Sequence, residues 1–315
     1  MKTRCLYCYR DLKEEGPDFH KSCSRKIFGS SIPPTLDYSR EQMYNLAEKI
    51  IQSQLAVTGV QPKLSLGLKD QKRMDSPPKL TILDLWNDFI LKPPSREYPN
   101  LPELEDLSMH LAEIAGIKTV PHSLIRLKSG ELAYLTRRID RQGKRKLHME
   151  DMCQITEKMT ESKYRGSHEQ IAKAIQRHSS MPGLDTIGFF EQVVFCFLTG
   201  NNDMHLKNFS LFKDPERGYI LSPAYDLVAA VLVVEGDDEE LALTLNGKKK
   251  KLRRRDFEEA MKSNMPSQKT IENIFNRFKS ALPKWHEFVE ISFLPDKLKE
   301  DFHQRLDSKS SQLEL

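Results

Sequence analysis

The stretch Gly200-Asn201-Asn202-Asp203-Met204-His205-Leu206-Lys207-Asn208, followed by Ser222-Pro223-Ala224-Tyr225-Asp226, carries an Asp, an Asn five positions later and a second Asp beyond a short apolar hairpin. Phosphoryl transfer from ATP to a hydroxyl uses groups of these types in this order. One Asp orients and deprotonates the accepting hydroxyl, while the Asn and the second Asp hold Mg2+ on the nucleotide phosphates. Taken singly, Asp203 and Asn208 would also suit a Gly- and Asn-rich turn that closes an apolar helix. Asp226, shortly after the strand-like Tyr219-Ile220-Leu221, shifts the balance. Two carboxylates and an amide brought to strand ends make a hard, oxygen-rich site suited to magnesium. His205 and Lys207 fall in the same stretch, where each would lie beside the transferred phosphate or brace the loop.

Phosphate charge needs further partners. Lys92 ends the strand-like Asp88-Phe89-Ile90-Leu91-Lys92 and is placed to neutralise the α- and β-phosphates, steadied by a helical Glu; Glu105 is the better partner and Glu103 the second. As a surface lysine before Pro93-Pro94 it would do nothing of the kind. Gly59 sits in a turn with Thr58, Val60, Gln61 and Lys63 ahead of that strand, as a phosphate-cradling loop should. The turn matches neither GxGxxG nor a Walker motif. Arg137-Arg138-Ile139-Asp140 falls at an expected lobe boundary, where backbone groups would meet adenine and Asp140 a ribose hydroxyl. A solvated charged linker is the alternative.

Two features lie outside that site. Cys5-x2-Cys8 followed by His20-x2-Cys23 has the ligand types and pair spacing of a tetrahedral zinc site, against free thiols in a flexible arm. Bearing zinc, residues 1–30 would form a docking element for a partner. The run Lys248-Lys249-Lys250-Lys251-Leu252-Arg253-Arg254-Arg255 would touch DNA phosphates or an acidic protein, or simply be a solvated hairpin tip.

The elements that must position these groups follow from periodicity. A helix is expected over residues 39–53, another from Leu101 to Ala115 closed by Gly116, and strands over His122–Leu127 and Glu131–Arg137 about a Ser129-Gly130 turn. Residues 150–200 read as mainly helical, with Phe189, Val193, Val194, Phe197 and Leu198 as the anchoring stripe. Hairpins are expected at 207–221 and, around Asn246-Gly247, at 241–251. Amphipathic helices and a frayed tail, Ser308–Leu315, finish the chain. The expected class is α+β, two-lobed and protein-kinase-like. It has a Cys/His element at 1–30, a small β-containing N-lobe with the glycine-rich loop at 31–140, and a larger helical C-lobe at 141–315.

With 38% hydrophobic and 30% charged residues the 315-residue chain is polar yet able to fold, which excludes a disordered protein. No apolar run approaches the roughly 20 residues that cross a bilayer, so no membrane partner is expected. Met1-Lys2-Thr3-Arg4-Cys5 is not the start of a secretory signal, and five cysteines suit a reducing compartment. Cytoplasmic residence is the expectation. A net charge of +4 permits contact with nucleic acid without arguing for it.

Thr58-Gly59-Val60-Gln61-Pro62-Lys63, Phe89-Ile90-Leu91-Lys92-Pro93, Pro102-Glu103-Leu104-Glu105, Leu147–Gln154, Gly200–Asn208 and Leu221–Leu227 together resemble the HipA-like kinases, bacterial serine/threonine kinase toxins of toxin–antitoxin modules. The resemblance runs from about Gln54 to Arg255, and the chain is similar to the short, HipT-type form. It implies Asp203 as catalytic base, Asn208 and Asp226 as magnesium ligands, Lys92 on the ATP phosphates, and Arg137 to Ile139 as an adenine-facing hinge. It also implies self-phosphorylation of the glycine-rich loop. Here the often-serine position is Ala56, so Thr58 is the remaining hydroxyl beside Gly59. Further implications are an aminoacyl-tRNA synthetase as protein substrate, small HipS-like and helix-turn-helix HipB-like antitoxin partners, and contact with DNA only through the antitoxin. The basic run motivates a rival, a nucleotide-binding regulatory module acting at an antitoxin–DNA complex without useful phosphotransfer. Intact Lys92, Asp203, Asn208 and Asp226 speak against it.

Overall fold

The computed structural model describes residues 4–13, 16, 18–53, 63–69, 77–82, 87–143, 145–234, 236, 238–265 and 267–315. The chain forms two compact units. The first comprises Met1–Asp106, Val120–Lys144 and Ile291–Phe293, and the second Leu107–Thr119, Arg145–Glu290 and Leu294–Leu315. This partition differs from a single cut at Asp140 in three places, because 107–119 groups with the later unit, and 141–144 and 291–293 with the earlier one. The segment before residue 30 packs as part of the first unit.

The first unit holds α1 (Lys21–Phe28), α2 (Arg40–Ser53), β1 (Leu64–Lys69), β2 (Lys79–Ile82), β3 (Phe89–Lys92), the start of α3 (Leu101–Ile114), β4 (His122–Arg126) and β5 (Leu132–Arg137). Its strands make one antiparallel sheet in the order β2-β1-β3-β5-β4. Leu64 lies opposite Leu91, Leu91 opposite Leu135, and Lys92 opposite Tyr134. The pleat sends Phe89 and Lys92 to opposite faces. Phe89 meets Phe28 of α1, ring centroids 6.0 Å apart, while the Lys92 face receives α3.

The second unit contains the rest of α3, β6 (Met149–Asp151), α4 (Met152–Ile155), α5 (His168–His178), α6 (Pro182–Thr199), β7 (Ser210–Asp214), β8 (Gly218–Leu221), α7 (Arg254–Lys262), α8 (Gln268–Glu290) and α9 (Asp296–Gln312). Strands β6, β7 and β8 form a small antiparallel sheet with β7 in the middle. Pro182 opens α6 in the first turn, where its missing N–H is not needed. From Phe189 to Leu198 the helix is buried on all sides, as suits a mostly apolar element, and its one acid, Glu191, is paired with Arg277 at 2.8 Å. Phe189 meets Phe209, Phe195 meets Trp285, and Phe197 meets Phe257, all edge to face. Trp285 satisfies its indole N–H on the Leu111 carbonyl at 2.8 Å.

Two expectations need correction. The hairpin expected at 241–251 is present only at its tip, as an antiparallel bridge between Leu245 and Lys248, and has no longer strand ladder. Backbone bonds between Leu245 and Lys248 close a tight turn at Asn246 and Gly247, both at positive φ. Leu241, Ala242, Leu243 and Leu245 are all buried, so the segment plugs the core instead of alternating between two faces. Ser308–Leu315 is not frayed. Helix α9 continues to Gln312, Leu313 is fully buried, Lys309 pairs with Glu240, and Gln312 donates to the Leu252 carbonyl at 2.6 Å. Nor is the basic run a bare cluster of cations: Lys248 meets Asp256, Lys249 Glu239, Lys250 Asp238 and Arg254 Glu258. Among the described residues no helix is long and apolar enough to cross a membrane.

His168 at the start of α5 is buried against Phe189 and Phe209, and its ring nitrogens have no hydrogen-bond partner among the described residues. Burial pushes its imidazole from the usual 6.5 down to about 3. The unfolded chain therefore binds this proton first as pH falls, and stability drains from the folded state between pH 6.5 and 3. Replacing His168 by Phe is expected to make the acid limb of the stability–pH curve shallower by up to about 1.4 kcal/mol per pH unit. Denaturant melts of both proteins across that range check this.

Candidate active site

Helix α6 ends at Gly200, which adopts φ 80° and returns its N–H to Cys196. A Cβ there would lie 2.3 Å from the Val231 side chain and 3.0 Å from Arg305, so the turn requires glycine for both space and backbone conformation. The polar turn that follows is tightly knotted. His205 N–H donates to the Asp203 carbonyl at 2.8 Å, Asn208 N–H to the His205 carbonyl at 3.0 Å, and the Asn208 amide to the Asp203 carbonyl at 3.3 Å. Phe209 then docks on Phe189, ring centroids 5.0 Å apart, so both ends of the turn are fastened to the same buried helix.

Asp203 is exposed, and its Oδ1 accepts a 2.6 Å hydrogen bond from Tyr164. The Tyr164 ring lies edge-on to His205 at 5.1 Å. Burial, helped by the Lys163 ammonium, holds the His205 imidazole below its usual range, while Asp203 and Asp226 pull the other way. The field at this ring thus registers both carboxylates. Asp226 itself is reached through Tyr225, whose hydroxyl donates to the Lys207 carbonyl at 3.1 Å and shares a 2.5 Å bond with Ser210. That brings the Asp226 segment alongside Asn208. Asp226 sits at φ 61°, a left-handed conformation uncommon for a residue with a side chain and found preferentially at functional sites. Lys207 pairs with Asp151 at 2.9 Å.

These residues fit a magnesium–nucleotide complex. The Asn208 amide nitrogen is committed to the Asp203 carbonyl, which leaves its oxygen, with the Asp226 carboxylate, as hard donors of the kind magnesium prefers. The Nδ1 atom of His205 is buried without a hydrogen-bond partner among the described residues, a polar atom suited to a ligand that brings one.

In the first unit Lys92 and Glu105 form a buried ion pair of 2.5 Å, with the Lys92 ammonium 5.5 Å from the centre of the Tyr134 ring. The structure selects Glu105 over Glu103. Lys63 is exposed at the entry to β1. Thr58, Gly59, Val60 and Gln61 lie outside the described residues, as does Ala56. At the expected hinge, the backbone N–H groups of Arg137 and Arg138 are used by the carbonyls of Pro121 and Asp88. The Asp140 carboxylate is gripped by Arg138 at 2.9 and 2.8 Å and also by Arg141. Burial would raise its pKa, but the two guanidinium groups outweigh that and hold it low. Ile139 is half-buried beside them. Cys5, Cys8, His20 and Cys23 are brought together, their ligand atoms all within 4.8 Å of one another.

Sequence reasoning missed Tyr164, Lys163 and the Asp151 partner of Lys207. Asp151 had a readable signal, since Asp151 and Gln154 form a reciprocal capping box on α4. Tyr164 stands in an irregular segment far from the turn in sequence and has no motif of its own.

Residues 55–285 match the model of the HipA-like C-terminal domain. The chain belongs to that family. A putative kinase of Sinorhizobium fredii, Y4dM, is 32% identical over 197 residues, 58% of this chain and 47% of the relative. A putative kinase of Haemophilus influenzae is 30% identical over 208 residues, 62% of this chain and 58% of the relative. The HipA-like chain thus spans about half the length of the curated relatives it matches. Among solved structures, a chain of the Shewanella oneidensis MR-1 toxin–antitoxin complex of HipA, HipB and operator DNA superposes with a TM-score of 0.68 at 20% identity, covering 85% of this chain and 70% of that one. The Helicobacter pylori proinflammatory kinase CtkA gives 0.53 at 16% identity, covering 74% and 90%. At such identities the likeness establishes the fold, which is kinase-like.

A buried ammonium stripped of its counter-charge is expensive. Glu105→Gln is expected to destabilise the protein by about 3–5 kcal/mol, whereas the double change Lys92→Met with Glu105→Leu should destabilise it far less. Urea denaturation of the two variants beside the parent distinguishes them.

Proposed function

We propose that this chain is an ATP-dependent serine/threonine protein kinase of the HipA/HipT type, the toxin of a toxin–antitoxin module. Its substrate would be an aminoacyl-tRNA synthetase, whose phosphorylation inhibits translation, and its glycine-rich loop would be phosphorylated by the enzyme itself at Thr58. The observation that carries this is the knotted turn in which Asp203 projects an exposed carboxylate while Asn208 is pinned, by its amide nitrogen, with its oxygen left to coordinate. Family membership and the names of the relatives support the kinase; the Shewanella complex supports a HipB-like partner, with DNA reached through it. A HipS-like partner and a cytoplasmic setting complete the proposal.

In the reaction, Tyr164 holds one Asp203 oxygen and so orients the other towards the incoming hydroxyl. Asp203 accepts the hydroxyl proton as the substrate oxygen bonds to the γ-phosphorus. The bond from that phosphorus to the β,γ-bridging oxygen breaks, and ADP leaves with the electron pair. Lys92, paired with Glu105, would meet the α- and β-phosphates. Asn208 and Asp226 would hold magnesium, which would supply charge neutralisation on the phosphate oxygens. Neutral His205 braces the turn. Little covalent work falls to the protein, and positioning with charge compensation does most of it.

The test is transfer of radiolabelled phosphate from ATP to a panel of purified aminoacyl-tRNA synthetases. The parent chain should label one of them, and Asp203→Gln should reduce incorporation by about 10³-fold while its circular dichroism is unchanged. Undiminished labelling by the variant would remove Asp203 as base, and a parent chain inert on every synthetase would remove the substrate.

A further inference from the structure

The most developed side-chain cluster outside the phosphotransfer site is that of Cys5, Cys8, His20 and Cys23. We propose that these four residues bind one zinc(II) ion tetrahedrally, and that this ion staples the N-terminal segment to the edge of the first unit's sheet.

The geometry carries the metal. Zinc bonds of about 2.3 Å to sulfur and about 2.0 Å to nitrogen, set at tetrahedral angles, place N and S about 3.5 Å apart. The His20 Nδ1 lies 3.4 Å from the Cys8 sulfur and 3.7 Å from that of Cys23. Its other ring nitrogen, Nε2, lies 3.1 Å from the Asp11 carbonyl. A carbonyl only accepts, so Nε2 carries the proton and Nδ1 turns its lone pair to the sulfurs. An outer hydrogen bond that fixes the tautomer in this way is typical of zinc-bound histidine. The His20 backbone N–H meanwhile points at the Cys5 sulfur at 3.4 Å, which fixes that sulfur's place beside the imidazole. On binding, the three thiols release their protons to solvent and the imidazole stays neutral.

The backbone agrees. Tyr9, immediately after Cys8, adopts φ 61° and returns its N–H to the Cys5 carbonyl at 2.9 Å. A bulky side chain in the left-handed region is strained, and a metal closing the Cys5–Cys8 turn would hold it there.

The knuckle packs on the edge of the sheet. Strand β4 is an edge, and its Leu124 N–H and Ser123 hydroxyl both donate to the Leu6 carbonyl, at 3.3 and 3.1 Å. Arg126 grips Asp18 through two of its nitrogens. The strained Tyr9 spends its hydroxyl on Asp106 at 2.7 Å, where His122 also binds at 2.7 Å. Asp106 adjoins Glu105 on α3, so the knuckle steadies the turn of helix that presents Glu105 to Lys92. Zinc binding itself is independent of phosphotransfer, and its readout is the metal.

The full-length chain, expressed with zinc and purified under reductant, is analysed by inductively coupled plasma mass spectrometry, then exchanged with cobalt(II). One zinc per chain and the charge-transfer and visible bands of tetrahedral thiolate-bound cobalt are expected. Cys8→Ser should lose both, and Cys153→Ser, in the second unit, neither. Parent protein without stoichiometric zinc and without those bands overturns the site, as does zinc content unchanged in Cys8→Ser. Stripping the metal with a chelator should lower the parent's melting temperature by several degrees. A melting temperature unmoved by complete metal removal overturns the stapling role.

Discussion

A polar turn keeps its shape only if something apolar holds both its ends, and in this chain that something is α6. Burial on every side makes the helix immovable on the scale of a hydrogen bond, since any shift would break close packing against Phe209, Phe257 and Trp285. Gly200 then releases the chain into a conformation closed to other residues, and Phe209 recaptures it. Between those two points the backbone is tied by short bonds among Asp203, His205 and Asn208 and braced from outside by the Lys163 carbonyl on Leu206 N–H and the Tyr225 hydroxyl on the Lys207 carbonyl. Exposed chemistry on a rigid base is the outcome.

The first unit solves a different problem by related means. The Lys92 ammonium is held in place where water is excluded, and strand register does half the work by placing it opposite Tyr134. Helix α3 does the other half by delivering Glu105. The pair is weak evidence for stability, because desolvation offsets most of the attraction. Its worth lies in fixing where the charge sits.

Much of this was legible in the residues themselves. Helices α2 and α3, strands β3 to β5 and the β7–β8 hairpin fall close to where periodicity and turn chemistry put them, helped by clear stops such as Gly116 and Asp214-Pro215. The gathering of Cys5, Cys8, His20 and Cys23 was visible as pair spacing. What could not be read was set by distant burial. Leu241 to Leu245 looked like one arm of a hairpin, yet every apolar residue in it is buried, and no local rule separates a buried plug from a strand. The tail looked polar enough to fray, but Lys309, Gln312 and Leu313 find partners far back in the chain. Tyr164 reaches Asp203 from an irregular stretch without periodicity to announce it.

The seven cations between Lys248 and Arg255 have one more consequence. Four of them already face a carboxylate, from Asp238, Glu239, Asp256 or Glu258. To an approaching polyanion more than half of the run's charge is therefore already answered, and a phosphate that sought Lys248, Lys249, Lys250 or Arg254 would first have to displace a resident acid. The pull of this corner on nucleic acid is correspondingly weaker than its string of letters looks.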